Sequence, residues 1–141
     1  MAYLADTSAW IKSRQRSAPA WLREKFDDLL QDEEIVICDM VKLELLHHED
    51  RRERFDARRA DLDTLPWCPI DSDQWARALD VQSALSAKGG AQHRGVRSPD
   101  YLIAAAAESA ELTVLHYDGD YDTIAGVTGQ QTEWIADRGE L

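Results

Sequence analysis

The sequence predicts an α/β fold built on a mainly parallel sheet. Two observations carry this: short apolar, β-branched runs recur along the chain, and longer segments with three- and four-residue apolar spacing separate them. A third, the length of 141 residues, matches one hydrophobic core, so residues 1–141 read as a single domain.

The elements follow in order. Tyr3-Leu4-Ala5 is a short strand that stops at Asp6. Thr7 and Ser8 can cap a helix carrying Trp10 and Ile11. Pro19 suits a first helical turn, and Trp21, Leu22, Phe26, Leu29 and Leu30 recur at helical spacing behind it. Residues 35–38 are short, apolar and β-branched, a buried strand. Asp39 caps a helix whose first turns hold Met40, Val41, Leu43, Leu45 and Leu46, and residues 49–59 beyond it are densely charged. Residues 65–70 form a third apolar run. Pro66 and Pro69 demote it to an edge strand or extended segment, because proline cannot donate to a ladder. Asp71 or Ser72 starts a helix with Trp75, Ala78, Leu79, Gln82 and Leu85 on one side. Residues 88–97 contain Gly89, Gly90 and Gly95 and read as a flexible loop. Ser98-Pro99-Asp100 combines a cap, a proline at the first position and an acid in the first turn. Residues 112–116 make a fourth strand, and Trp134-Ile135 a fifth.

Composition excludes several classes. No run approaches the ~20 apolar residues of a membrane span, and the first ten residues lack the charged start of a signal peptide and meet Asp6. Cys38 and Cys68 are isolated in apolar segments, which fits buried reduced thiols in a cytoplasmic protein. Asp and Glu number 27 against 16 Lys and Arg, a formal charge of −11. That balance argues against nucleic-acid binding by bulk charge, which needs concentrated positive residues.

In a parallel sheet, ligands bind beyond the carboxyl ends of the strands. Asp6 follows the first strand; Asp118 follows the fourth, with Asp120 and Asp122 close behind. Glu44 lies in the first turns of the helix leaving the second strand, and Asp100 in the first turn of the helix feeding the fourth. All can converge on one sheet end. Glu44 sits among core positions, where a charge requires a metal or a paired arginine or amide. Asp6 and Asp100 also suit simple helix-start roles. The 118–122 cluster matches the first positions of an EF-hand, but Thr123 stands where the turn glycine belongs and Gly129 where the bidentate Glu belongs. Carboxylates packed together raise one another's pKa, and a hard divalent cation removes the conflict. All-oxygen ligands suit Mg2+ or Mn2+, and such a site can cleave phosphodiesters.

DTSAW at 6–10, ELL at 44–46, SPDYLIAAAA at 98–107 and VLHYDGDYDTIA at 114–125 resemble the four signature blocks of PIN-domain proteins, above all the VapC-type toxins of bacterial toxin–antitoxin pairs. The resemblance implies a three-layer α/β/α sandwich on a central sheet of about five strands. It implies a Mg2+- or Mn2+-dependent endoribonuclease that leaves a 5′-phosphate and a 3′-hydroxyl. On it, Asp6, Glu44, Asp100 and Asp118 are the catalytic, metal-binding acids, with Asp6 and Asp100 holding the principal metal. Asp120 supports them from a step away, and Thr7 or Ser8 contacts water or phosphate. His116 departs from the Thr or Ser common at its position, which alters a hydrogen bond near Asp118 and removes no ligand. Arg97 is the substrate-binding candidate, while the arginines of 51–59 alternate with acids like a salt-bridged face. The resemblance also implies a VapB-type antitoxin partner with a basic side chain for the acidic pocket, an RNA substrate such as transfer or ribosomal RNA, and a homodimer. Two rival readings are a low-turnover antitoxin- or RNA-binding module and a PIN-like nuclease acting on DNA structures.

Overall fold

The computed structural model describes residues 1–90 and 92–141; residue 91, in the expected loop, lies outside the described residues. The elements are β1 (Tyr3–Ala5), α1 (Thr7–Arg14), α2 (Ala20–Gln31), β2 (Ile35–Val36), α3 (Asp39–Leu46), α4 (Arg52–Leu62), α5 (Ser72–Ala87), α6 (Gln92–Gly95), α7 (Ser98–Ser109), β3 (Thr113–His116), α8 (Asp120–Thr128) and β4 (Thr132–Trp134). The strands form one parallel sheet in the order β2-β1-β3-β4. Tyr3 faces Ile35 on one side and Thr113 on the other, so β1 is central. Leu4 and Ala5, and Val114 and Leu115 beside them, have no exposure.

The chain leaves β1 toward β2, then crosses back over β1 to β3 and β4. Right-handed crossovers in opposite directions put α1 and α2 on one face and α7 and α8 on the other. Accordingly α1 and α7 both pack on β1 and β3, with α2 behind α1 and α5 behind α7. Three layers result, and the strand order reverses between β1 and β3, the place where open α/β sheets bind ligands.

Of the five expected strands, the run at 65–70 contributes only one bridge. Ile37 donates to the Pro66 carbonyl (2.9 Å) and accepts from Cys68 (3.0 Å), pairing Ile37 with Trp67. Pro66 has no N–H to offer the Ile35 carbonyl on one side, and Asp39 starts α3 on the other, so the ladder extends in neither direction. The sheet therefore has four strands among the described residues. Other boundaries move by a residue or two. Asp6 caps α1 in place of Thr7 or Ser8, and the charged segment after α3 folds as a separate helix, α4. On α5 the buried stripe is Gln74, Ala78, Val81 and Leu85, which leaves Trp75 and Leu79 exposed. Gln74 tolerates burial because its amide group accepts from the Asp71 N–H (2.8 Å) and donates to the Ser109 hydroxyl (3.0 Å).

Asp71 caps α5 in a capping box with Gln74. Asp71→Ala should cost about 1 kcal/mol, read as a lower urea midpoint at unchanged slope; an unchanged midpoint would remove the cap from the stability account. Among the described residues, no helix is long and apolar enough to cross a membrane.

Candidate active site

The ends of β1 and β3 are joined before any acid is placed. The Asp6 amide donates to the Leu115 carbonyl (2.9 Å), and the Tyr117 amide donates to the Ser8 hydroxyl (2.9 Å). Ser8 in turn donates both its amide and its hydroxyl to Asp6 Oδ2. Asp6 is thus a helix cap whose second oxygen is left for other work. That oxygen, Oδ1, accepts from the Tyr121 hydroxyl at 2.6 Å. Asp6 is 3% exposed and Tyr121 wholly buried. Burial and the flanking carboxylates Asp6 and Asp100 hold the Tyr121 phenol well above its ordinary pKa, so it remains a donor.

Asp100 enters from the first turn of α7, where Pro99 starts the helix and the dipole favours an acid. The helix is buried from Asp100 to Ala107, and its run of small alanines lets it lie close on the sheet. Asp100 is 2% exposed. One carboxylate oxygen each from Asp100, Asp118 and Asp120 lie within 4.8 Å of one another. Burial first, then the adjacent Asp120 carboxylate and the charges of Asp6 and Asp118, push the Asp100 carboxyl up to about 9. Asp118 is raised as well, mainly by burial and the charges of Asp120 and Asp6, against the lowering effect of the Asp120 amide and Arg97.

Glu44 stands slightly apart. Its Oε1 accepts from the Thr7 hydroxyl (2.8 Å) and its Oε2 from Arg97 Nη2 (2.8 Å). Of the readings open for this residue, pairing with an arginine is present, although that arginine side chain is 61% exposed. The Arg97 amide also donates to Asp120 Oδ2 (3.0 Å), so Arg97 links two acids. His116 is buried, and its Nδ1 accepts from the Asp118 amide (3.1 Å). That bond fixes the direction of the chain into Asp118, and burial keeps the imidazole below its usual pKa.

All the sequence-selected acids reach the β1–β3 end of the sheet, but their grouping differs from the expected one. Asp120, expected to support from a step away, stands with Asp100 and Asp118, whereas Asp6 and Glu44 are not in that close set. Tyr121 is absent from the sequence-selected residues. It lies in the first turns of α8, just behind Asp118 and Asp120, where any aromatic ring would pack equally well. Its hydroxyl therefore gives no sign of its partner until the helix is placed against Asp6. The arginines of α4 are largely paired, Arg52 with Asp56, Arg58 with Glu49 and Arg59 with Asp63, as a salt-bridged face requires.

The donor set fits a hard divalent cation. The Oδ2 atom of Asp100 is buried without a hydrogen-bond partner, and the carboxylates of Asp118 and Asp120 converge on the same residue. Such crowding is costly for bare carboxylates and favourable around a cation.

The PIN domain family model matches residues 3–127. Ribonuclease VapC18 of Mycobacterium tuberculosis is 41% identical over 142 residues, covering all of both chains. Ribonuclease VapC21 of the same species is 35% identical over 137 residues, covering 94% of this chain and 93% of that one. Among solved structures, the DNA-bound VapBC from Salmonella typhimurium superimposes with a TM-score of 0.72 at 21% identity, over 96% of this chain and 99% of that one. VapBC-5 from Mycobacterium tuberculosis does so at 0.59 and 23%, over 94% and 96%.

Proposed function

The chain belongs to the PIN-domain family, in its VapC branch, and on that premise we propose that it is the ribonuclease toxin of a toxin–antitoxin pair. It cuts structured RNA, such as transfer or ribosomal RNA, at single-stranded loops, where the backbone can reach a recessed site. The observation that carries this reading is the convergence of Asp6, Asp100, Asp118 and Asp120 at the strand-order reversal, with a buried carboxylate oxygen left unpartnered.

Asp100, Asp118 and Asp120 would hold Mg2+ or Mn2+, with Asp6 and Glu44 completing the acidic pocket around it; the ion supplies Lewis-acid polarisation of a phosphate oxygen and acidifies water. The chain's own residues do the positioning. Ser8 and Tyr121 fix both oxygens of Asp6. Thr7 and Arg97 fix both oxygens of Glu44. The Asp120 amide holds Asp118 Oδ1 (2.9 Å), so the acids are set before substrate arrives.

A VapB-type antitoxin is the partner, supported by the VapBC complexes that share the fold. A homodimer is supported by the apolar groove between α5 and α7, where Trp75 and Leu79 are 57% and 63% exposed. A cytoplasmic setting is supported by the free, buried thiols of Cys38 and Cys68.

Purified protein should cleave transfer or ribosomal RNA with Mg2+ or Mn2+ and stop on addition of EDTA. Mapped 5′ ends should fall in loops. Cleavage that persists in EDTA, or preferential cutting of flap DNA, would overturn the reading.

A further inference from the structure

Arg138 lies at the other rim of the acidic site. A cavity of about 480 Å3 runs from Asp118 and Asp120 past Asp122 to this side chain. Its guanidinium stands 5.5 Å over the Trp134 ring, and Trp134 is fixed in turn by its indole N–H on Asp122 (3.2 Å). A Cβ on Gly119 would lie 3.2 Å from Arg138 Nη2, so glycine at this turn admits the close approach. The turn that carries Arg138 is anchored too. The amides of Gly139 and Leu141 both donate to the Tyr117 hydroxyl, at 2.9 and 3.0 Å, one residue before Asp118.

Despite this placement, among the described residues Arg138 lies within 4.0 Å of no carboxylate. Arg97, by contrast, is engaged by Glu44. A guanidinium without a carboxylate partner keeps its planar fork of donors available, and that fork matches phosphate.

We propose that Arg138 grips the RNA backbone at a phosphodiester flanking the one that is cut. The proposal rests on the ribonuclease reading above, and extends it to a named substrate contact. The Trp134 contact and the anchoring of the neighbouring backbone on Tyr117 lower the ordering cost of that contact.

The test uses full-length protein and a labelled single-stranded RNA dodecamer. In the Asp100→Asn background, adding Arg138→Ala should raise Kd about tenfold. The slope of log K against log salt should shrink by about 0.7, one phosphate contact. Arg138→Lys should fall between, keeping the charge and losing the fork. In the otherwise native protein, Arg138→Ala should raise KM with kcat held, and Arg54→Ala on α4 should change neither. An unchanged Kd and salt slope, or a fall in kcat alone, overturns the proposal. If the Asp100→Asn protein binds RNA but the native protein cuts none, the nuclease reading fails and the Kd comparison still decides Arg138. If nothing binds RNA, both fall.

Discussion

Asp100→Asn should cut RNA cleavage by about a hundredfold or more, while making the metal-free protein more stable at neutral pH. The two effects have one cause. In the folded, metal-free chain the Asp100 carboxyl is pushed up to about 9 by burial and by Asp120, Asp6 and Asp118. Unfolded, it titrates in the ordinary carboxylate range, near 3.8. Between those values the folded state binds more protons, so this group's contribution to stability falls as pH rises through the window. Asparagine cannot ionise and removes that slope. Melting temperatures in EDTA at pH 4 to 9 should therefore converge at the acid end and separate steadily as pH rises through this window, the variant melting higher. Mn2+ should raise the melting temperature of the native protein far more than that of the variant. A variant that cleaves normally, or melts below the native protein at pH 8, contradicts this account.

Phe26→Ala should produce the opposite pattern: a destabilised fold with an intact site. Phe26 has no exposure, meets Trp10 edge-on at 4.9 Å and supports the Arg14 guanidinium at 5.4 Å. It is a contact that seats α2 on α1. Truncation leaves a cavity and should cost about 3–5 kcal/mol. The urea midpoint should fall accordingly, while cleavage measured well below the new melting point stays near native. A loss of unfolding free energy under about 1 kcal/mol would mean that α2 closes the gap. Loss of activity in still-folded protein would tie this helix to the acids directly.

Much of this was legible from residue types. Asp6 and Asp118 stand directly behind strand-like runs, so a parallel sheet brings them together. Asp100 was legible from Ser98-Pro99 before it. The rest depended on rotation and partnering, which one-dimensional spacing leaves open. The stripe on α5 is set by what α7 presents, so Gln74 is inside and Trp75 outside. Glu44 was equally compatible with a metal and an arginine because Arg97 is 53 residues away. Tyr121 and Arg138 carry no periodic signal; their roles appear only when α8 and the C-terminal turn fold against β3.

The crossing from β2 back over β1 to β3 also sets a schedule. Asp6 and Asp118 are 112 residues apart (118 minus 6). At ribosomal rates, the first acid exists for roughly ten seconds before the last one is made. No nascent chain that ends before β3 holds an assembled site, whatever its N-terminal half has folded into. On the ribonuclease reading, the translating ribosome is exposed to a competent toxin only after β3 and Asp118 have been made and folded, when an antitoxin can bind the completed acidic pocket.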